Sequence, residues 1–265
     1  MGKFDLDQRI ILLTGATGHL GQAIAEALVR ANAHVVLGGR SADKLKVLES
    51  KLLAAGGELT VLPFDIEIEA ERKHAIEAIA NRLGRLDGII NNAYSGKTGT
   101  VDSSTVSDFE KATTFNLSAP FQLIQLAMPL LKEAGLRNRG GASVVNVASM
   151  YGSVSPDPRI YGSSGSNNPP FYGATKAGLI QLTRYLACHL AASNIRVNSV
   201  SPGAFPPDSI RHQNPEFHDE LCGKMPLGRI GLPHEVAEPI VFLLGDAASY
   251  ITGVNLPIDG GWTAW

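Results

Sequence analysis

Short, nearly unbroken apolar runs recur along the 265 residues, each followed by a longer stretch of helical period, and this alternation narrows the fold more than any other feature. The runs fall at 9–13, 34–37, 59–62, 88–90, 143–147, 195–200 and 254–256. A strand without polar alternation is covered on both faces, the situation of a parallel sheet. Helical patterns fall between the runs, at about 20–31, 42–55, 67–83, 107–133, 172–192 and 234–244. Strand then helix, repeated, specifies right-handed βαβ crossovers and so an α/β chain with a doubly wound parallel sheet. No linker rich in Pro, Gly or Ser divides the chain, and one domain over 1–265 is expected.

Two stretches break the alternation, 151–170 and 204–227, each with four prolines and no clear period. Loops this long in a compact domain usually serve binding. The first reads as a polar insertion beside a pocket and the second as a lid over substrate. With 23 basic and 25 acidic residues the formal charge is −2, which offers no field of one sign to nucleic acid or an anionic membrane. No apolar stretch approaches the roughly 18 to 20 residues that span a bilayer, and the opening segment lacks the pattern of a secretion signal. Cys188 and Cys222 are too few for a disulfide framework or a four-ligand zinc site. The expectation is a cytoplasmic protein acting on a small molecule, with no metal, nucleic acid or membrane partner.

The segment Thr14-Gly15-Ala16-Thr17-Gly18-His19-Leu20-Gly21 closes the first strand and opens the first helix. In an open α/β sheet of the Rossmann type, such glycines let backbone N–H groups approach a pyrophosphate at a helix N-terminus. A plain tight turn uses the same residues, and it is the position after strand one that favours a dinucleotide. The second strand then ends Leu37-Gly38-Gly39-Arg40-Ser41 with no acid before Asp43. An acid there would accept from the ribose hydroxyls of NAD, whereas Arg40 presents a fork of donors to the extra phosphate of NADP and Ser41 adds a hydroxyl. NADP(H) is the expected cofactor and NAD(H) the alternative; a solvated arginine at a helix start is the plainer reading of Arg40.

Further motifs follow in order: Asp65-Ile66 after the third strand, Asn91-Asn92-Ala93 after the fourth, Asn116 in the long helical stretch, Ser149 after the fifth strand, and Tyr172-Gly173-Ala174-Thr175-Lys176. Pro202-Gly203 closes the sixth strand, and Ile258-Asp259-Gly260-Gly261 lies near the end. Singly each is weak, but the ordered set, over about residues 9–262, resembles the short-chain dehydrogenase/reductase family. The length and most motifs are of the classical type, whereas the glycines are spaced as in the extended type. His19 and Tyr94 stand where glycine is usual, and the latter sends a phenol toward the nicotinamide side of the crevice. The resemblance implies cofactor contacts at Gly15, Thr17, Gly18, His19, Leu20, Gly21, Arg40, Ser41, Asp65, Ile66, Asn92, Ala93, Tyr172, Lys176, Pro202 and Gly203. It also implies a homotetramer, with a dimer second, paired through two long helices.

The chemistry follows from the side chains. Tyr172 and Lys176 are four apart and so share one helix face. A phenol with a pKa of about 10 is a poor base at neutral pH, and a nearby ammonium favours the phenolate. Tyr172 would exchange a proton with a carbonyl or alcohol oxygen while hydride moves, Lys176 would lower its pKa and hold ribose hydroxyls, and Ser149 would hydrogen-bond the substrate oxygen. By the resemblance, Asn116 holds a water that connects Lys176 to solvent. Tyr161 competes for the role of base because it lies only twelve residues after Ser149 against twenty-three for Tyr172, but Gly165 and not lysine stands four beyond it. The composition of the insertion, with Asp157, Arg159 and Tyr161, favours a polar or carbohydrate-like substrate. An enoyl reductase spaces its Tyr and Lys seven apart, and Pro169 occupies that position here. A sugar-nucleotide epimerase or dehydratase and a non-catalytic nucleotide-binding regulator remain as alternatives. The first lacks room for a second domain, and the second has no need of the proton-transfer residues.

Overall fold

The computed structural model describes residues 4–162, 167–207 and 209–265. Seven parallel strands form one sheet in the order β3-β2-β1-β4-β5-β6-β7: β1 (Ile10–Thr14), β2 (His34–Gly39), β3 (Glu58–Pro63), β4 (Gly88–Asn91), β5 (Ala142–Val147), β6 (Ile195–Pro202) and β7 (Asn255–Ile258). The helices are α1 (His19–Arg30), α2 (Ala42–Ala54), α3 (Glu69–Leu83), α4 (Val106–Thr113), α5 (Ala119–Arg137), α6 (Pro170–Leu190), α7 (Ser209–Gln213), α8 (Pro215–Lys224) and α9 (Pro233–Leu244). All seven apolar runs became strands, because a run without polar alternation can be buried from both sides.

The two-residue period of β1 distributes its side chains between two cores. Ile11 and Leu13 pack with Ile24, Leu28, Val236 and Ile240 beneath α1 and α9. Leu12 packs on the opposite face with Ile79, Leu123, Leu131 and Leu190 beneath α3, α5 and α6. Leu13 sits level with Leu37 of β2 on one side and Ile90 of β4 on the other. The chain order reverses between these neighbours, so the connections leaving β1 and β4 diverge and open a crevice at the carboxyl edge of the sheet.

The stretch 107–133, expected as one helix, is divided. Thr105 and Asp108 form a capping box that starts α4, and a π-helical turn, Thr114–Ser118, joins it to α5. Pro120, in the first turn of α5, has no N–H to offer the carbonyl of Asn116, and the backbone widens there, with Ala119 N donating to Thr114 O. The stretch 204–227, read as irregular, carries α7 and all of α8: the Asn214 side chain accepts from Phe217 N at 3.2 Å, and Pro215 follows the cap. In the insertion two short 3₁₀ turns form, Met150–Gly152 and Pro158–Tyr161. Gly165, with the rest of 163–166, and residue 208 lie outside the described residues. No described helix is long and apolar enough to cross a membrane.

Candidate active site

Close backbone approach holds the crevice open. Gly15 has φ +66°, and a Cβ on it would lie 2.7 Å from Ala93 Cα; one on Gly21 would lie 2.2 Å from Gly15 O. Only glycine fits either place. Thr14 Oγ1 accepts from the N–H groups of Asn92 and Ala93 at 3.0 and 3.1 Å, while Asn92 Nδ2 donates to Thr14 O and Gly15 O at 3.0 and 3.1 Å. These bonds tie the ends of β1 and β4 together. Gly18 begins α1 with no side-chain cap and no acid in the first turn, which leaves the first amides of the helix for an anion.

A cavity of about 610 Å³ runs from this turn to α6. Gly15, Thr17, Gly18, His19, Leu20 and Gly21 line one end, with Arg40 and Ser41 after β2. Ile66, Asn92, Ala93, Pro202 and Gly203 line its walls, and Ser149, Tyr172 and Lys176 its other end. Asp65 differs from expectation and does not line it. Its carboxylate accepts from Glu67 N at 2.9 Å, and its own N–H donates to Glu71 Oε2 at 2.6 Å, so it shapes the turn into α3. Ser41 also differs in part, since its hydroxyl accepts from Lys44 N at 3.4 Å and caps α2. Lys44 itself lines the cavity beside Arg40 and Ser41. Sequence reasoning passed over it, although its place in the first turn of α2, four residues past Arg40, was a readable signal.

The chemical end is assembled from three elements. Ser149 follows β5 and lines the same end of the cavity as Tyr172 on α6, where it offsets part of the rise that burial imposes on the phenol. Lys176, one turn further along α6, is only 4% exposed and donates to Val147 O at 2.7 Å. Its Nζ lies 5.8 Å from the centroid of the Tyr172 ring. Burial pushes the ammonium down to about 8 and raises the phenol of Tyr172 above its ordinary value. The expected lowering of Tyr172 by Lys176 is therefore not what this geometry produces: desolvation dominates, and the ammonium is turned to a carbonyl of β5. Asn116, in the π turn, lies behind the crevice rather than on its wall. Its Nδ2 donates to Thr175 Oγ1 at 3.2 Å, Thr175 Oγ1 donates to Tyr172 O at 3.0 Å, and Asn116 Oδ1 is buried with no partner among the described residues.

Tyr172, not Tyr161, stands with Ser149 and Lys176. The hydroxyl of Tyr161 meets that of Tyr151 at 3.0 Å, and both rings are buried with Met150, Ile160, Leu221, Met225 and Trp262. Tyr172 packs against this group. The charges of the insertion are instead neutralised at its surface: Asp157 pairs with Arg159 at 2.7 Å and Lys224 of α8 at 2.6 Å, which holds its carboxyl well below the usual range. Among its described residues the insertion turns Tyr151, Ile160 and Tyr161 inward, with two phenol hydroxyls.

A family model described as enoyl-(acyl carrier protein) reductase matches residues 15–263. The rhamnolipids biosynthesis 3-oxoacyl-(acyl-carrier-protein) reductase of Pseudomonas aeruginosa is 34% identical over 261 residues, 98% of each chain. A Pseudomonas aeruginosa RhlG/NADP active-site complex superposes with TM-score 0.89 at 34% identity over 99% of both chains. A gluconate 5-dehydrogenase from Burkholderia cenocepacia J2315, in complex with NADP and tartrate, gives TM-score 0.87 at 26% identity, covering 99% of this chain and 98% of the other. With the glycine turn at the switch point, Tyr172 and Lys176 on one helix face and these relatives along its length, the chain is a member of the short-chain dehydrogenase/reductase family and an NAD(P)-dependent oxidoreductase.

Proposed function

We propose that the protein interconverts a carbonyl and a secondary alcohol with NADP(H) as the preferred cofactor, using Tyr172 as acid and base. The observation that carries this reading is the meeting of Ser149, Tyr172 and Lys176 at one end of a crevice whose other end is a bare helix N-terminus. The crevice fits a dinucleotide: the glycines admit it where a Cβ would not, and the open amides of α1 suit a pyrophosphate. Arg40, Lys44 and the N-terminus of α2 form a cationic end suited to a 2′-phosphate, and NADP accompanies three of the structural relatives. NAD(H) would bind without that contact. When bound, the nicotinamide carries the hydride.

The protein groups do the rest. Ser149 holds the substrate oxygen against the Tyr172 hydroxyl, which donates a proton in reduction and accepts one in oxidation. Lys176, freed from Val147 O by ribose hydroxyls, would turn toward Tyr172 and stabilise phenolate. Asn116, with an unused buried carbonyl oxygen, would hold the water that returns protons to this pair. Loss of the Tyr172 hydroxyl in Tyr172→Phe should lower turnover by about 10²- to 10⁴-fold with nucleotide binding retained. Near-normal turnover in that variant, with loss in Tyr161→Phe, would assign the base to Tyr161.

For substrate we propose a polar or carbohydrate-like carbonyl compound, supported by the Tyr151 and Tyr161 hydroxyls behind Tyr172 and by the tartrate bound to the gluconate dehydrogenase relative. The apolar cluster of Met150, Ile160, Met225 and Trp262 favours a second reading, an acyl thioester like that named for the Pseudomonas relative. Turnover of keto sugar acids and 3-oxoacyl thioesters with NADPH separates the two. The segment 204–227 we read as a lid, because α8 rests on that same cluster through Leu221. We also propose a homotetramer, with a dimer second, paired through α5 and α6, whose outer faces expose Phe121 and Tyr185. A cytoplasmic site of action completes this reading.

A further inference from the structure

Tyr94 follows β4 where the resemblance calls for glycine, and the structure gives its ring a defined seat. The ring packs edge-to-face on Tyr172, with centroids 5.1 Å apart and planes at 78°, and its centroid lies 5.8 Å from Lys176 Nζ. The hydroxyl end rests on Gly96, where an added Cβ would come within 2.2 Å of Tyr94 Oη and 2.7 Å of Cζ. The residue is 47% exposed, so one side of the ring faces the crevice mouth and the other covers the tyrosine and lysine. Nothing in the fold requires a large side chain there, since the residue belongs to neither main core.

We propose that Tyr94 is a positioning residue for proton transfer: its ring shields the Tyr172–Lys176 pair from solvent and, through Gly96, is held in register with it. The proposal rests on Tyr172 acting as acid and base. A ring this close excludes water from both groups, so it dries the phenol, while Lys176 keeps its own bond to Val147 O. Burial is the largest cause of the raised pKa of Tyr172, and Tyr94 itself is pushed up to about 12 by burial and by Tyr172. The other polar groups that face Tyr172 are Ser149 from the end of β5, Lys176 on α6 and Tyr161 from the insertion, with Tyr151 behind it. None belongs to the loop that carries Tyr94, so substitution there alters solvation without removing a charge.

The test is the pH profile of turnover in both directions, with NADPH affinity and thermal midpoint measured alongside. Tyr94→Gly admits water to the phenol and should move the midpoint assigned to Tyr172 to lower pH by about half to one unit. Tyr94→Phe keeps the ring and should restore the wild-type midpoint. Gly96→Ala leaves Tyr94 intact but displaces its hydroxyl end, and should move the midpoint in the same direction as Tyr94→Gly. Coincident profiles for wild type, Tyr94→Gly and Gly96→Ala, in an enzyme that Tyr172→Phe inactivates, would overturn the proposal. Retained activity in Tyr172→Phe would instead refute the assignment of the base. A Tyr94→Phe midpoint equal to that of Tyr94→Gly would show that the hydroxyl and not the ring acts, and would also overturn it.

Discussion

Cofactor preference can be tested at the end of β2, where Arg40 is scarcely used by the fold. Its side chain is 57% exposed, and the carboxylate of Asp65 lies 4.0 Å away. A surface pair of that kind contributes about 0–1 kcal/mol, so Arg40→Ala should leave the thermal midpoint nearly unchanged. A charge-assisted contact to phosphate contributes about 1.5–3 kcal/mol, and a half-exposed guanidinium belongs at the lower end. At about 1.4 kcal/mol per decade, the Michaelis constant for NADPH should rise about tenfold while that for NADH stays put. Lys44 remains, which keeps the loss finite. The reciprocal change is Gly39→Asp. The nearest neighbours of a Cβ there are side-chain carbons of Leu45, the closest at 3.6 Å, so a carboxylate fits and should favour NADH by repelling phosphate and accepting from ribose hydroxyls. Gly38 makes a useful contrast: its Cβ would lie 2.8 Å from Phe64 Cε1 and 3.1 Å from Leu13 O, so Gly38→Asp should destabilise the sheet edge. Steady-state kinetics with both nucleotides decide the matter. A wild-type enzyme with the higher kcat/KM on NADH, or equal losses on both cofactors in Arg40→Ala, refutes the reasoning.

Lys176 makes a stability prediction for the protein without nucleotide. Its pKa near 8 when folded, against 10.5 ordinarily, means that below pH 8 the folded state bears a buried ammonium; between about 8 and 10.5 the unfolded state holds more protons, so stability rises with pH across that window. Lys176→Met should gain on wild type below pH 8 in thermal melts, the gap closing toward pH 10.5, and parallel curves would contradict this. Gly21→Ala drives a methyl into Gly15 O and two atoms of Ala16, and should cost about 1–3 kcal/mol in denaturant unfolding together with nucleotide affinity. A variant that melts and binds like wild type would show that the turn is less tightly packed than its geometry requires.

The seven strands, the switch-point turn and the pairing of Tyr172 with Lys176 were legible in the residues, because each rests on a local rule: unbroken apolarity, glycine where backbones nearly touch, and four-residue spacing on a helix. The division of the 107–133 helix was equally local, since it follows from one proline, but it went unread because apolar periodicity continues across the break. Other features had no local signature. Asp65 turned to its own loop, Lys176 pointed at Val147 O, and the polar residues of the insertion divided into surface ion pairs and an inward pair of phenols against α8 and Trp262. Composition can say that a segment is polar, but which of its atoms meet water depends on elements far along the chain that fold against it. The same holds for Tyr94, visible in the sequence only as a missing glycine, whose ring acquires a partner once β4 and α6 bring their ends to one edge of the sheet.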